Sequence, residues 1–391
     1  MLEILCKNPE MLIMDCTYKT NKYHMPLLTI CGVTALGTIF IVGFAFIEKE
    51  NKDYYQWILY HLKQLCASLG LTRPRVIATD RDLALMEAID HRFPAFATTH
   101  NEGTRQVLCL WHLHRNVAKN CKASFPTNEE WEASLTAWHI VIYAITYDAY
   151  LAAWTELVTT YYEHHREDID KLCSTWLEPW KDRLCKYHTN EIRHYGTTTT
   201  SRAEGIHRVL KSNLKFSTGD SMTVIDRIEV MLINQLKKHR KDLGKAKRST
   251  SFDFGHTVFQ NLIGRVTPHA IWKIHDQFKR LKSATKVNPL PPCTEAFTKT
   301  MGLPCSHLIE AKMDAVDGGL GRILLSDVDT HWRFKKPDSG IIPTADFVSD
   351  HPAINEALAE PLEAVEDVLD IDLNLDQSLL SIDDIIRDLR Q

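Results

Sequence analysis

With 391 residues, 44% of them hydrophobic and 25% charged, the chain exceeds one ordinary core and predicts two or three globular domains rather than a fibrous or disordered polymer. The net charge of -4 hides an asymmetry: from Asp346 onward there are 13 of the 50 acids but two of the 46 bases, so the preceding body is basic and suits a polyanionic partner. Ten cysteines, spread without the dense spacing of a disulfide scaffold and with no secretory signal before them, argue against a small secreted framework and for a reducing compartment.

Residues 10–18, 26–34 and 38–47 read as three consecutive strands with short connections, an antiparallel meander. The uncharged stretch from Met25 to Ile47 is long enough to span a bilayer, but it is rich in β-branched residues and divides at Ala35-Leu36-Gly37, which predicts a buried hairpin. Within the first strand Asp15 is anomalous. An ionised carboxylate in an apolar run must lie at an exposed edge or hold something.

Tyr55, Ile58, Leu59, Leu62, Leu65 and Leu69 then recur at helical spacing up to Gly70. Arg75 to Asp80 forms a short strand, and because a helix precedes it, it can run parallel to its neighbour with Asp80 at its carboxyl end. A helix over Asp82–His91 and a fifth strand over Gln106–Leu110 complete a βββαβαβ order, the pattern of a mixed five-stranded sheet with helices on its faces.

From Thr127 to about Lys186 the chain changes character. Thr127-Asn128-Glu129-Glu130 is a capping box, and an aromatic and aliphatic stripe from Trp131 to Tyr161 predicts an all-helical block with a packing role. A hydroxyl run at 197–200 precedes a helix that begins near Ser201 and carries Glu204 in its first turn. Helix resumes at Met222 with Ile225, Ile228, Met231 and Leu232 as its expected buried face, and it ends in a basic cluster that fits either a solvated helix end or a contact with DNA backbone. Asp15, Asp80 and Glu204 thus stand on three separate elements, the arrangement that bridging carboxylates of a two-metal site require.

Four stretches carry a family resemblance: Asp15 to Asn21 with Tyr23 to Leu27; Val76 to Met86; Cys109 to Val117; and Thr199 to His207. In this order they resemble the transposases of Mutator-like DNA elements, over residues 10 to about 310. The resemblance implies an α/β fold of the RNase H-like, retroviral-integrase type, with a five-stranded mixed sheet, an all-helical insertion and a small C-terminal zinc-finger-like segment. It divides the chain into a first part of the catalytic core (1–123), the insertion (124–190), closing core helices with the third acid (191–250) and a zinc-finger-like region (251–345); the acidic stretch 346–391 departs from the family pattern and its composition reads as a disordered tail. By position Asp15, Asp80 and Glu204 form the acidic triad for two Mg²⁺ or Mn²⁺ ions, with Asp82 as the alternative second acid.

The same resemblance makes the expected activity metal-dependent DNA cleavage and strand transfer, with element ends and target DNA as partners. A homo-oligomer on DNA, a nuclear location and no membrane association accompany it. Arg202, Arg208 and Lys211 are candidates for backbone contact. Cys109 and His112 are half a zinc site, or a packed strand cysteine with a histidine hydrogen-bonded near the acids, while His112 and His207 are also candidates for DNA phosphate. Cys293, Cys305 and His307 resemble a SWIM-type zinc finger with Pro291 where the first cysteine belongs, leaving three ligands that are either completed elsewhere, as by His331, or reduced to a packed loop. The family's usual amino-terminal DNA-binding module is expected to be missing, since the first strand starts near Met1. That favours a second possibility: a transposase-derived, non-enzymatic regulator like the far-red-impaired-response transcription factors, which resemble the same family.

Overall fold

The computed structural model describes residues 1–95, 103–214, 219–248, 255–314 and 321–334; the expected acidic tail lies outside them. A short helix, α1 (Leu2–Lys7), precedes the three strands β1 (Met11–Thr17), β2 (Leu27–Val33) and β3 (Ile39–Phe46). They pair antiparallel in chain order, with a register shift between Ile30 and Cys31. Gly37 makes the turn between β2 and β3 at φ +74°, a conformation open to glycine at no steric cost. The stretch from Met25 to Ile47 is therefore a strand pair, and no helix among the described residues is long and apolar enough to cross a membrane.

Asn51 caps α2 (Lys52–Ser68) by accepting from the Tyr54 N–H, and the chain returns through β4 (Val76–Thr79), α3 (Leu83–Arg92) and β5 (Arg105–Leu108). The sheet order is β3-β2-β1-β4-β5, with β4 parallel to β1 and β5 parallel to β4. Central β1 has helix-covered faces, so its sequence is apolar on both sides. Leu12 and Met14 pack with α1, α2 and α3, whereas Met11 and Ile13 face the opposite core. By alternation Asp15 belongs to that second face. Since Met14 pairs with Thr79, Asp15 and Asp80 follow in step at the same edge of the sheet.

The fifth strand is shorter than expected. It stops at Leu108, and Cys109 is the extended N-cap of α4 (Leu110–Cys121) rather than a strand residue. The reason is the three-to-four spacing of Leu110, Leu113, Val117 and Cys121, which is buried as a helix stripe. Beyond it the aromatic stripe is cut into pieces: α5 (Asn128–Tyr143), α6 (Tyr147–Tyr161), α7 (Arg166–Leu172), a π-helical turn (Cys173–Leu177), α8 (Glu178–Leu184) and α9 (Lys186–Thr189). Trp131, Trp138, Leu157 and Trp176 form the centre of this block, which reaches the sheet edge through Leu108 and Met86.

Next come α10 (Ser201–Leu214) and α11 (Ser221–Arg248), followed by α12 (Pro268–Ser283), α13 (Ala296–Met301) and α14 (Ser306–Asp314). One continuous core joins Met11 and Ile13 to Ala203, Ile206 and Leu210 of α10, Ile228 of α11, and Phe259, Ile274 and Trp332 farther on. Helix α10 is thereby laid against the sheet face that carries Asp15. The buried face of α11 is Val224, Ile228 and Met231; Ile225, expected inside, is 39% exposed, because the face is shifted by one residue.

Candidate functional site

Asp15 is 4% exposed on β1, and Asp80 follows the last residue of β4. One ligating atom from each of Asp15, Asp80 and His112 lies within 4.8 Å of the others. Glu204, in the first turn of α10, places Oε1 3.2 Å from His112 Nε2. The structure thus brings Asp15 and Asp80 together with His112 of α4, while Glu204 lies outside that group and reaches it through its contact with His112. Asp82 is engaged otherwise. Its Oδ1 accepts from the N–H groups of Ala84 and Leu85 as the cap of α3, and its Oδ2 accepts from the Tyr55 hydroxyl at 2.9 Å.

The electrostatics are those of crowded anions. Burial pushes the Asp15 carboxyl up to about 8; His112 works against this, and the charges of Asp80 and Glu204 add to it. Burial likewise raises Asp80, opposed by His112 and helped by Asp82. Burial disfavours protonated His112, yet hydrogen bonds with Cys109 and Glu204 and the Asp15 charge outweigh it and push the group up to about 11. Carboxylates this close repel one another, and a hard divalent cation bound by oxygen ligands relieves that repulsion. The donor set therefore fits Mg²⁺ or Mn²⁺.

The supporting residues occupy places the sequence did not disclose. Thr200, fully buried before α10, donates its N–H to Cys109 Sγ at 3.1 Å, while its hydroxyl lies 3.1 Å from His112 Nδ1. The Cys-x-x-His pair therefore grips the start of the helix that bears Glu204. His207, a candidate DNA contact, is only 6% exposed, and burial lowers it to about 4. It lies beneath the acids instead, with Nε2 hydrogen-bonded to Thr29 Oγ1 at 3.0 Å and Nδ1 3.6 Å from Asp15 Oδ2. Arg202 donates to the Gly37 carbonyl at 3.2 Å and so is tied to the β2–β3 turn, whereas Arg208 and Lys211 are exposed. Thr29 was missed because it belongs to no motif of chemical residues, whereas Thr200 stood in the hydroxyl run at 197–200 and in the fourth stretch but was read only as a helix-cap candidate.

A second group lies in the C-terminal part. Ligating atoms of Cys293, Cys305 and His307 are within 4.8 Å of one another, and the two sulfurs are 3.9 Å apart. Two thiolates on one tetrahedral zinc ion sit about 3.8 Å apart for Zn–S bonds of about 2.3 Å, so the sulfur spacing fits. His307 Nε2 is 2.9 Å from the carbonyl of Pro291, the residue standing in the first cysteine's place. His331 does not complete this group. It is fully buried, 3.0 Å from Glu10 Oε2 through Nδ1 and stacked on Tyr195 with ring centroids 4.2 Å apart.

A family model described as MULE transposase domain matches residues 11–116, which contain Asp15, Asp80, Cys109 and His112. Over 356 residues the chain is 23% identical to the PKS-NRPS hybrid synthetase cheA of Chaetomium globosum, covering 83% of this chain and 7% of that protein. It is also 28% identical over 119 residues to FAR1-RELATED SEQUENCE 5 and 21% identical over 193 residues to FAR-RED IMPAIRED RESPONSE 1, both of Arabidopsis thaliana. These matches cover 30% and 49% of this chain, and 14% and 21% of the respective relatives. The chain therefore spans a minor part of the length of the relatives it matches. From β1 to the first turns of α4, the chain is similar to the MULE transposase domain family.

Proposed function

We propose that the chain is a DNA transposase of the DDE type, with an RNase H-like core, and that Asp15, Asp80 and Glu204 are its acidic triad. The observation that carries this reading is the meeting of Asp15 and Asp80 with His112, and of His112 with Glu204, at one edge of a mixed sheet. In the proposed site these three carboxylates hold Mg²⁺ or Mn²⁺. Such ions lower the pKa of water and stabilise the leaving oxygen of a phosphodiester. The strands fix two of the acids rigidly, α10 brings the third, and His112 orients Glu204. Exposed Arg208 and Lys211, one and two turns past Glu204, are placed to neutralise DNA backbone. Cys293, Cys305 and His307 form a second candidate site, for Zn²⁺, with a fourth position left to another ligand.

The similarity to the FAR1-type proteins supports a second reading, in which the same fold serves a DNA-associated regulator without strand cleavage. Incubation of the full chain with duplex DNA and Mn²⁺ separates the two. Nicking that Asp80→Asn and Glu204→Gln abolish is expected for the transposase. Equal nicking by all three proteins rejects the triad, and DNA binding without nicking by any of them favours the regulator.

A further inference from the structure

Thr29, His207 and Asp15 form a line that no sequence motif announces. The antiparallel register sets Thr29 of β2 directly opposite Asp15 of β1. His207 of α10 lies over both, bonded to Thr29 Oγ1 at 3.0 Å and facing Asp15 Oδ2 at 3.6 Å. All three are nearly inaccessible, at 0%, 6% and 4% exposure. The line resembles a hydroxyl–imidazole–carboxylate relay of hydrolases in its order of groups, but a wholly buried Thr29 has no access to a substrate and is not a nucleophile.

We propose that His207 is a positioning residue for Asp15, with Thr29 selecting its tautomer; this rests on the reading of Asp15 as a metal ligand. If the Thr29 hydroxyl donates to Nε2, the imidazole proton sits on Nδ1 and points at Asp15 Oδ2. At 3.6 Å this is an electrostatic contact longer than a hydrogen bond; it favours keeping Oδ2 turned toward the imidazole and leaves Oδ1 for the cation. Partners of this kind fix the orientation of a ligating group, and their loss typically weakens metal affinity about 10- to 100-fold. The arrangement also links the two acids mechanically. Glu204 and His207 are one turn apart on α10, so the helix that delivers the third acid also steadies the first.

The test separates the two nitrogens. An asparagine amide can take the place of Nδ1 and a glutamine amide that of Nε2, so His207→Asn preserves the donor toward Asp15 and His207→Gln preserves only the contact with Thr29. Mn²⁺ affinity is read from the signal of free aqueous Mn²⁺ by electron paramagnetic resonance, on the full chain, with thermal midpoints measured alongside. The proposal expects His207→Gln to lose about 10-fold or more in affinity, His207→Asn to stay near the parent, and Thr29→Val to show a smaller loss than His207→Gln. Unchanged affinity in His207→Gln while Asp15→Asn is weakened overturns the positioning role alone. Equal losses in both His207 variants that track their thermal midpoints overturn it as well, since a packing role would behave so. If Asp15→Asn itself binds Mn²⁺ as the parent does, the triad reading fails and the positioning role falls with it.

Discussion

The acids at the sheet edge and the Cys293 group are built on opposite plans. The first draws on β1, β4, α4 and α10, whose contributions at positions 15, 80, 112 and 204 are spread over half the chain, and its acids offer hard oxygen donors in a setting where Asp15 is buried and the others are partly buried. The second gathers soft donors from positions 293 to 307 on a short local segment, with Cys293 exposed. A long-range site is only as good as the packing that assembles it, whereas a local one depends chiefly on its ligands. The two should therefore fail differently.

The largest expected effect falls on the first group. Asp80→Asn should lower Mn²⁺-dependent nicking by about 10³-fold, since a metal site supplies several kcal/mol of transition-state stabilisation, without changing Zn²⁺ uptake at the second group. Parallel loss at both sites would break the comparison. Next in size, Cys305→Ser should weaken Zn²⁺ binding by at least about 100-fold, the upper end of what even an outer-shell loss costs, and leave Mn²⁺ affinity intact. Equilibrium dialysis with each metal checks it.

A pH effect should touch the long-range site's scaffold. His139 Nε2 lies 3.1 Å from His114 Nδ1 in the contact between α5 and α4, the helix that also carries His112. Burial lowers His139 to about 4, and burial together with His139 lowers His114 well below its ordinary value. Both native values lie below the unfolded value of about 6.5, so the native state binds fewer protons. The stability is fully present above about pH 6.5 and is lost as pH falls toward about 4. Urea unfolding at pH 7.5 and pH 5 should show this loss, and His139→Phe should reduce it. The smallest effect is expected from Thr127→Ala, which removes the cap bonded to the Glu130 N–H and should cost about 1 kcal/mol while leaving both metal affinities unchanged.

Much of the sheet was legible because its strands are apolar on both faces and separated by charged or glycine-bearing turns: β1 to β4 fall within a residue or two of where the sequence puts them. Helix α4 was not, since Val107, Leu108, Cys109 and Leu110 form one apolar run and periodicity alone does not mark where a strand gives way to a helix. Asp15 and Asp80 could be singled out as acids ending or interrupting buried strands. That His112 sits near the acids was among the readings of the sequence, but its pairing with Glu204 in particular and the placing of Thr29 opposite Asp15 could not be singled out, because they depend on how α10 docks and on strand register, which no local pattern encodes. His207 shows the cost: read as a surface contact one turn after Glu204, it is in fact buried under Asp15.

The most direct test of the central claim is anomalous diffraction from crystals of the full chain grown with Mn²⁺. The account predicts a manganese peak bounded by the carboxylates of Asp15, Asp80 and Glu204. A peak confined to other positions, with these three acids free of it, would contradict it.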